Sequence, residues 1–193
     1  GISFTKGFIL HVGGNQWYKN RVGIVEIYDQ LRLRYKIEIP LLLIGTPPDE
    51  KLKDLISASS FRKDIHSLSN CTDEFVKNAY AGASVLLYPS LDEGFGWPIA
   101  EAMASGCPVI TTNQPPMTEV GENAAFYIHK RPTRNNVEKW AFEASSIVHK
   151  VLTLSPESRN KTISNGLKNV VRFEQEKMIA QLDNIYNQIM SQQ

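Results

Sequence analysis

Apolar positions fall into two alternating regimes along this chain. Short runs at Phe8–Val12, Ile39–Ile44, Ser84–Tyr88, Pro108–Thr112 and Ala124–Ile128, with a weaker one at Ile65–Ser69, read as buried strands. Between them, apolar residues recur at helical spacing. Arg21–Tyr35 carries Val22, Val25, Tyr28, Leu31 and Leu33 along one face, and Asp49–Ser59 carries Leu52, Leu55 and Ile56. Glu74–Ala81 and Asn136–Leu154 read as further helices. Ser155-Pro156-Glu157 is an N-cap with a first-turn proline and acid, opening a helix to about Val170. A last helix, Glu174 to Met190, has Met178, Ile179, Leu182, Ile185, Tyr186 and Ile189 on an apolar side, expected to be core or to mark a domain interface. Strands alternating with helices predict an α/β fold: a Rossmann-like, doubly wound, mainly parallel six-stranded sheet with helices on both faces. In such sheets ligands bind at the carboxyl ends of the strands.

One stretch on that rim is denser in signals than the rest. The run ending at Tyr88 is closed by Pro89 and Ser90, after which Gly94 and Gly96 bracket Phe95 in a tight loop. Pro98 opens a short helix, Ala100–Ala104 are strong helix formers, and Gly106 caps the C-terminus. A strand, a glycine loop and a helix N-terminus together form an anion site, since free N–H groups and the helix dipole face the loop. Glu93 and Glu101 flank it. Carboxylates do not bind phosphate; they accept hydrogen bonds from hydroxyls. The ligand so implied is an anion with polyol groups on both sides, a description that a nucleoside diphosphate sugar fits. The same residues also fit a reading without ligand, in which Glu101 complements the helix dipole and the glycines serve only the turn. Residue types alone leave both open.

Composition narrows the class. At 193 residues with 42% hydrophobic and 21% charged positions, the chain has the make-up of a soluble globular domain. A net charge of +1 without a Lys/Arg cluster argues against nucleic acid as a partner. No apolar run approaches the roughly 20 residues that span a bilayer, and no signal peptide is visible at the start. Cys71 and Cys107 lack metal-ligand spacing and read as free thiols of a reducing compartment. The four histidines are scattered, which disfavours a metal site.

The segment Glu93-Gly-Phe-Gly-Trp-Pro-Ile-Ala-Glu101-Ala-Met-Ala-Ser-Gly-Cys-Pro-Val resembles the signature of the retaining glycosyltransferases with the two-domain GT-B fold (family 4, glycosyl transferases group 1). Two glutamates separated by seven residues in a glycine–phenylalanine–glycine context carry the resemblance, which covers roughly residues 7–190. It implies that residues 7–193 are the carboxy-terminal, nucleotide-sugar donor-binding domain, with residues 1–6 a linker or chain edge and the amino-terminal acceptor domain absent. It also implies transfer of a hexose from a UDP-sugar, UDP-glucose being the leading candidate, to a saccharide or lipid-linked acceptor in polysaccharide synthesis. No cofactor and no metal are required. The fragment alone is expected to be inactive, because transfer needs both reactants positioned. The expected location is the cytoplasm or the inner membrane face, with room for peripheral membrane association through the absent half.

Residue roles follow from the same resemblance. Glu93 and Lys19 carry catalysis, Glu93 on the sugar hydroxyls and Lys19 on the donor phosphates. Gly94, Phe95 and Gly96 offer backbone amides around sugar and phosphate, Trp97 adjoins them, and Glu101 accepts from the ribose. The first loop, with Gly13 and Gly14, matches the family's phosphate loop, although Gly14 stands where an arginine is usual. Arg21 or the amides of Gly13 and Gly14 are the candidate substitutes. Gly45 and Thr46 face the donor, and the backbone of His66-Ser67-Leu68 brackets the base. Without the resemblance Lys19 reads as a solvated loop lysine, Gly45 as a turn, and Trp97, Tyr88 and Phe95 as packing or pocket wall. A non-catalytic nucleotide-sugar-binding module of the same fold is the alternative. A dinucleotide-dependent oxidoreductase is disfavoured, since Gly13-Gly14 is no Gly-x-Gly-x-x-Gly.

Overall fold

The computed structural model describes residues 6–191, apart from the side chains at 175, 176, 178, 180 and 181. The linker assigned to residues 1–6 and the place of Met178 in the last helix's stripe therefore lie largely outside the described residues. Six strands form one parallel sheet: β1 (Ile9–Val12), β2 (Leu41–Ile44), β3 (Ile65–Leu68), β4 (Val85–Tyr88), β5 (Val109–Thr112) and β6 (Phe126–Ile128). Their order is β3-β2-β1-β4-β5-β6. The reversal of direction lies between β1 and β4, so the loops leaving those two strands meet at the switch point where such sheets bind ligands.

The helices are α1 (Arg21–Tyr35), α2 (Glu50–Ala58), α3 (Asp73–Gly82), α4 (Trp97–Ala104), α5 (Met117–Gly121), α6 (Val137–Leu152), α7 (Pro156–Val170) and α8 (Gln175–Met190). Side-chain alternation along each strand divides the core into two layers. Leu41, Leu43, Val85 and Leu87 pack with Ile24, Tyr28 and Leu31 of α1 and Trp140 and Val148 of α6. Leu42, Ile44, Leu86 and Tyr88 pack with Tyr80 of α3 and Ile99, Ala102 and Met103 of α4. Strands covered on both faces explain the near-continuous apolar runs in the sequence.

Local chemistry sets the helix ends. Asp49, Thr72 and Ser155 accept hydrogen bonds from backbone N–H groups as N-caps of α2, α3 and α7. The α4 helix closes as a Schellman motif: Gly106 has φ +73°, its N–H reaches Met103 O at 3.0 Å, and Cys107 N–H reaches Ala102 O at 2.9 Å. Cys71 and Cys107 are free thiols, and burial pushes Cys107 up to about 12.

One helical stripe differs from the sequence reading, and for another the structure excludes one of its two readings. In α1, Leu33 is exposed while Ile24 and Ile27 are buried, because α1 is wedged between the sheet and α6 and buries more than one stripe. In α8, Ile179, Leu182, Ile185, Tyr186 and Ile189 are each about half exposed or more, so this stripe is not core of the domain.

Candidate functional site

The loop after β1 and the loop after β4 are bound to each other by one backbone and one side-chain hydrogen bond. Leu91 N–H donates to Tyr18 O at 2.7 Å, and Asn20 Nδ2 donates to Pro89 O at 2.9 Å. Thr111 and Thr112 of β5 fasten the second loop from the other side, donating to Tyr88 O at 2.8 Å and Ser90 O at 2.7 Å. These cross-links bring together Lys19 and Glu93, 74 residues apart in sequence. Lys19 Nζ lies 2.8 and 3.0 Å from the two Glu93 oxygens and 2.7 Å from Tyr88 Oη. Tyr88 donates to Glu93 Oε1 at 2.5 Å. The pair is well sheltered, with side chains 15% and 8% exposed.

Beneath this cluster sits His11, fully buried and stacked on Tyr88 with ring centroids 5.9 Å apart. Its Nδ1 lies 3.2 Å from Leu87 O. Burial, reinforced by Arg21, holds its pKa down to about 3, so the ring is neutral at physiological pH. The neighbouring phenol shifts the other way. Burial first, then the hydrogen bond to Glu93, push Tyr88 above the ordinary range, and Tyr88 stays a hydroxyl donor.

The edge beyond β1 is built from the strand ladder. Gly13 N–H reaches Ile44 O at 2.9 Å and Gly45 N–H reaches Leu68 O at 3.0 Å, so Gly13, Gly45 and Leu68 form one continuous rim. Gly45 has φ +147°, and a Cβ there would stand 2.0 Å from Gly13 O, so both conformation and space demand glycine. Gly96 has φ +105° at the N-cap of α4, where no side chain caps the helix. Gly94 is different. Its φ is not positive, and a Cβ there meets nothing within 4 Å, so the fold does not require glycine at that position.

Glu101 lies on α4, toward α3. Tyr80, almost fully buried, donates to Glu101 Oε2 at 2.8 Å. Burial and then the adjacent carboxylate push this phenol up as well. Glu101 and Tyr80 line a cavity of about 430 Å³ with Asp73, Val76, Lys77 and Ser105. Chemically, the rim offers the Lys19 ammonium, a helix N-terminus and two carboxylates, Glu93 and Glu101, each with an oxygen fixed by a buried tyrosine. That combination can neutralise an anion and accept hydroxyls on either side of it.

The sequence profile described as "Glycosyl transferases group 1" matches residues 1–169. This chain belongs to the group 1 glycosyl transferases. It is 30% identical over 184 residues to O-antigen chain mannosyltransferase B of Escherichia coli, which covers 94% of this chain and 46% of the relative. The lipopolysaccharide glucosyltransferase WaaG of Escherichia coli K12 is 28% identical over 112 residues, 58% of this chain and 29% of that protein. The solved structure of sucrose-phosphate synthase from Thermosynechococcus elongatus superposes with a TM-score of 0.79 at 20% identity, over 100% of this chain and 47% of that one. That likeness is one of fold. The chain spans about half the length, or less, of these relatives.

In this glycosyl transferase domain, the remaining expected residues divide. Phe95 packs edge-on to Phe173 at 5.2 Å and tilted on Trp97 at 4.6 Å, as a wall. Trp97 itself is 57% exposed at the first turn of α4, tilted against Phe95, so of its two readings interior packing is excluded. Gly14 lies on the first loop, where a Cβ would run into the Gln16 side chain. Arg21 is buried, its Nη1 donating to Thr46 O at 2.8 Å and to Asn15 Oδ1 at 2.5 Å. These contacts tie the first loop to the β2 exit. Arg21 also lines a separate depression of about 340 Å³ with Trp17, Asp49, Lys51 and Arg131. The sequence reading missed Tyr80 and His11 as neighbours of the site and took Tyr88 as core or wall. A tyrosine closing an otherwise apolar strand was the one available signal for Tyr88. Among the described residues no helix is long and apolar enough to cross a membrane.

Proposed function

We propose that this chain is the donor-binding domain of a retaining glycosyltransferase. The whole enzyme transfers a hexose from a nucleotide diphosphate sugar to a saccharide or lipid-linked acceptor in polysaccharide or glycoconjugate synthesis. The observation that carries this reading is the convergence of Lys19, Glu93 and the α4 N-terminus at the switch point of the sheet, with Glu101 one helix turn further on. Lys19, the amides of Gly13 and Gly14 and the α4 dipole receive the diphosphate and stabilise it as the sugar leaves. Glu93 receives sugar hydroxyls and Glu101 the ribose. The clearance above Gly94, unneeded by the fold, suits close approach of a ligand to the backbone.

In the transfer step the bond from the anomeric carbon to the leaving phosphate oxygen breaks and the bond to the acceptor oxygen forms on the same face. The acceptor proton passes to the leaving phosphate, so no enzymic base and no metal are needed. The relatives' lengths and the exposed apolar face of α8 support a second, acceptor-binding domain as partner. The names of the relatives widen the sugar from glucose to mannose, and the working location remains the cytoplasm or the inner membrane face.

Calorimetry on a panel of UDP, GDP, ADP and their sugars tests the assignment. Glu101→Ala is expected to weaken the nucleotide diphosphate itself, and Glu93→Ala chiefly the increment that the sugar adds. Binding no tighter than that of inorganic phosphate would refute the reading.

A further inference from the structure

We propose that Tyr88 is a positioning residue for glycosyl transfer, its hydroxyl holding Glu93 when Lys19 leaves that carboxylate for the donor diphosphate. The inference rests on the donor-site reading above and adds a residue that touches no substrate. Its basis is a saturated triad. The Lys19 ammonium carries three hydrogens and has three acceptors, Tyr88 Oη at 2.7 Å and the Glu93 oxygens at 2.8 and 3.0 Å. It cannot engage a phosphate oxygen without releasing one of them. Glu93 Oε1 likewise takes both Lys19 and Tyr88, so sugar hydroxyls and phosphate both compete with the internal ion pair.

Charge decides which contact is exchanged. A phosphate replaces a carboxylate, anion for anion, and Glu93 is then left sheltered and negative beside an incoming diphosphate. Alcohol donors from a sugar are weak compensation. Tyr88 is the donor that stays. Its ring is fully buried and stacked on His11, and Thr111 Oγ1 donates to its carbonyl at 2.8 Å, so its hydroxyl is aimed by packing at Glu93 Oε1. The hold of Glu93 on the sugar should therefore depend on Tyr88, and the hold of the site on the nucleotide should not.

The test compares UDP with UDP-glucose and GDP with GDP-mannose by calorimetry on the wild type and on Tyr88→Phe. The expected result is an unchanged affinity for the nucleotide diphosphate, within about threefold, and a loss of about tenfold in the affinity added by the sugar, the size of one hydrogen bond to a charged group. With Glu93→Gln the two losses should not add, since both act on one contact. A role in packing alone weakens nucleotide and sugar nucleotide together. That outcome, or an undiminished sugar increment, overturns the Tyr88 assignment and leaves the donor site standing. A wild type that gains nothing from the sugar overturns both. Should Tyr88→Phe fold poorly, 3-fluorotyrosine at position 88 keeps the ring's shape. Its ¹⁹F resonance is expected to move further with UDP-glucose or GDP-mannose than with the bare nucleotide, and equal shifts overturn the assignment.

Discussion

Replacing Lys19 by methionine isolates the energetics of the site. The side chain keeps all but the last atom of its length and loses its charge, leaving the sheltered Glu93 with Tyr88 as its remaining side-chain donor. At the observed 2.8 Å, an effective dielectric of ~20 gives an attraction of about 6 kcal/mol, offset by the cost of taking both ions out of water. The net worth of the pair is therefore small, but breaking it is not, because the surviving carboxylate keeps its desolvation cost. Removing one partner of a buried pair costs about 3–5 kcal/mol, and the position at the rim favours the lower end, ~3 kcal/mol. For a domain of this size that corresponds to a fall in Tm of about 6–12 °C. Urea denaturation followed by circular dichroism reads the difference directly. Lys19→Met combined with Glu93→Gln removes the stranded charge and should recover stability to within about 1 kcal/mol of the wild type. A loss below about 1 kcal/mol for Lys19→Met alone, typical of solvent-exposed pairs, would refute the claim that this cluster is sheltered.

Two further predictions concern residues around the pair. His11 has its folded pKa lowered from 6.5 to about 3, so the unfolded chain takes up a proton first as pH falls. Its contribution is intact above pH 6.5 and is lost between there and pH 3, at ~1.4 kcal/mol per unit. Between about pH 6.5 and 4.5 the wild type should lose ~2–3 kcal/mol more than His11→Gln in urea titrations, and superimposable pH dependences would remove His11 from the account. Gly45→Ala, placing a Cβ 2.0 Å from Gly13 O, should destabilise strongly, whereas Gly94→Ala should stay within about 0.5 kcal/mol. If Gly94→Ala also leaves donor binding untouched, the clearance above that residue serves no ligand.

The sequence by itself determined the architecture, because its signals are local. Apolar runs of strand length, amphipathic spacing and the cap at Ser155 report on neighbours in the chain, and the six strands and every helix but the short α5 appear within a residue or two of where these signals place them. The glutamates and the glycine loop were legible for the same reason, lying within one strand–loop–helix unit. Tertiary structure decided what depends on contacts across long sequence separations. Lys19 meets Glu93 over 74 residues and Arg21 meets Thr46 over 25, so neither the ion pair nor the commitment of Arg21 has a local signature. Tyr88 read as core or pocket wall and Tyr80 drew no notice, because both rings are core; their hydroxyls belong to the site only because strand β4 and helix α3 end beside Glu93 and Glu101. Exposure of Leu33 and Trp97 was likewise undetermined, since periodicity names a face and only packing settles what covers it.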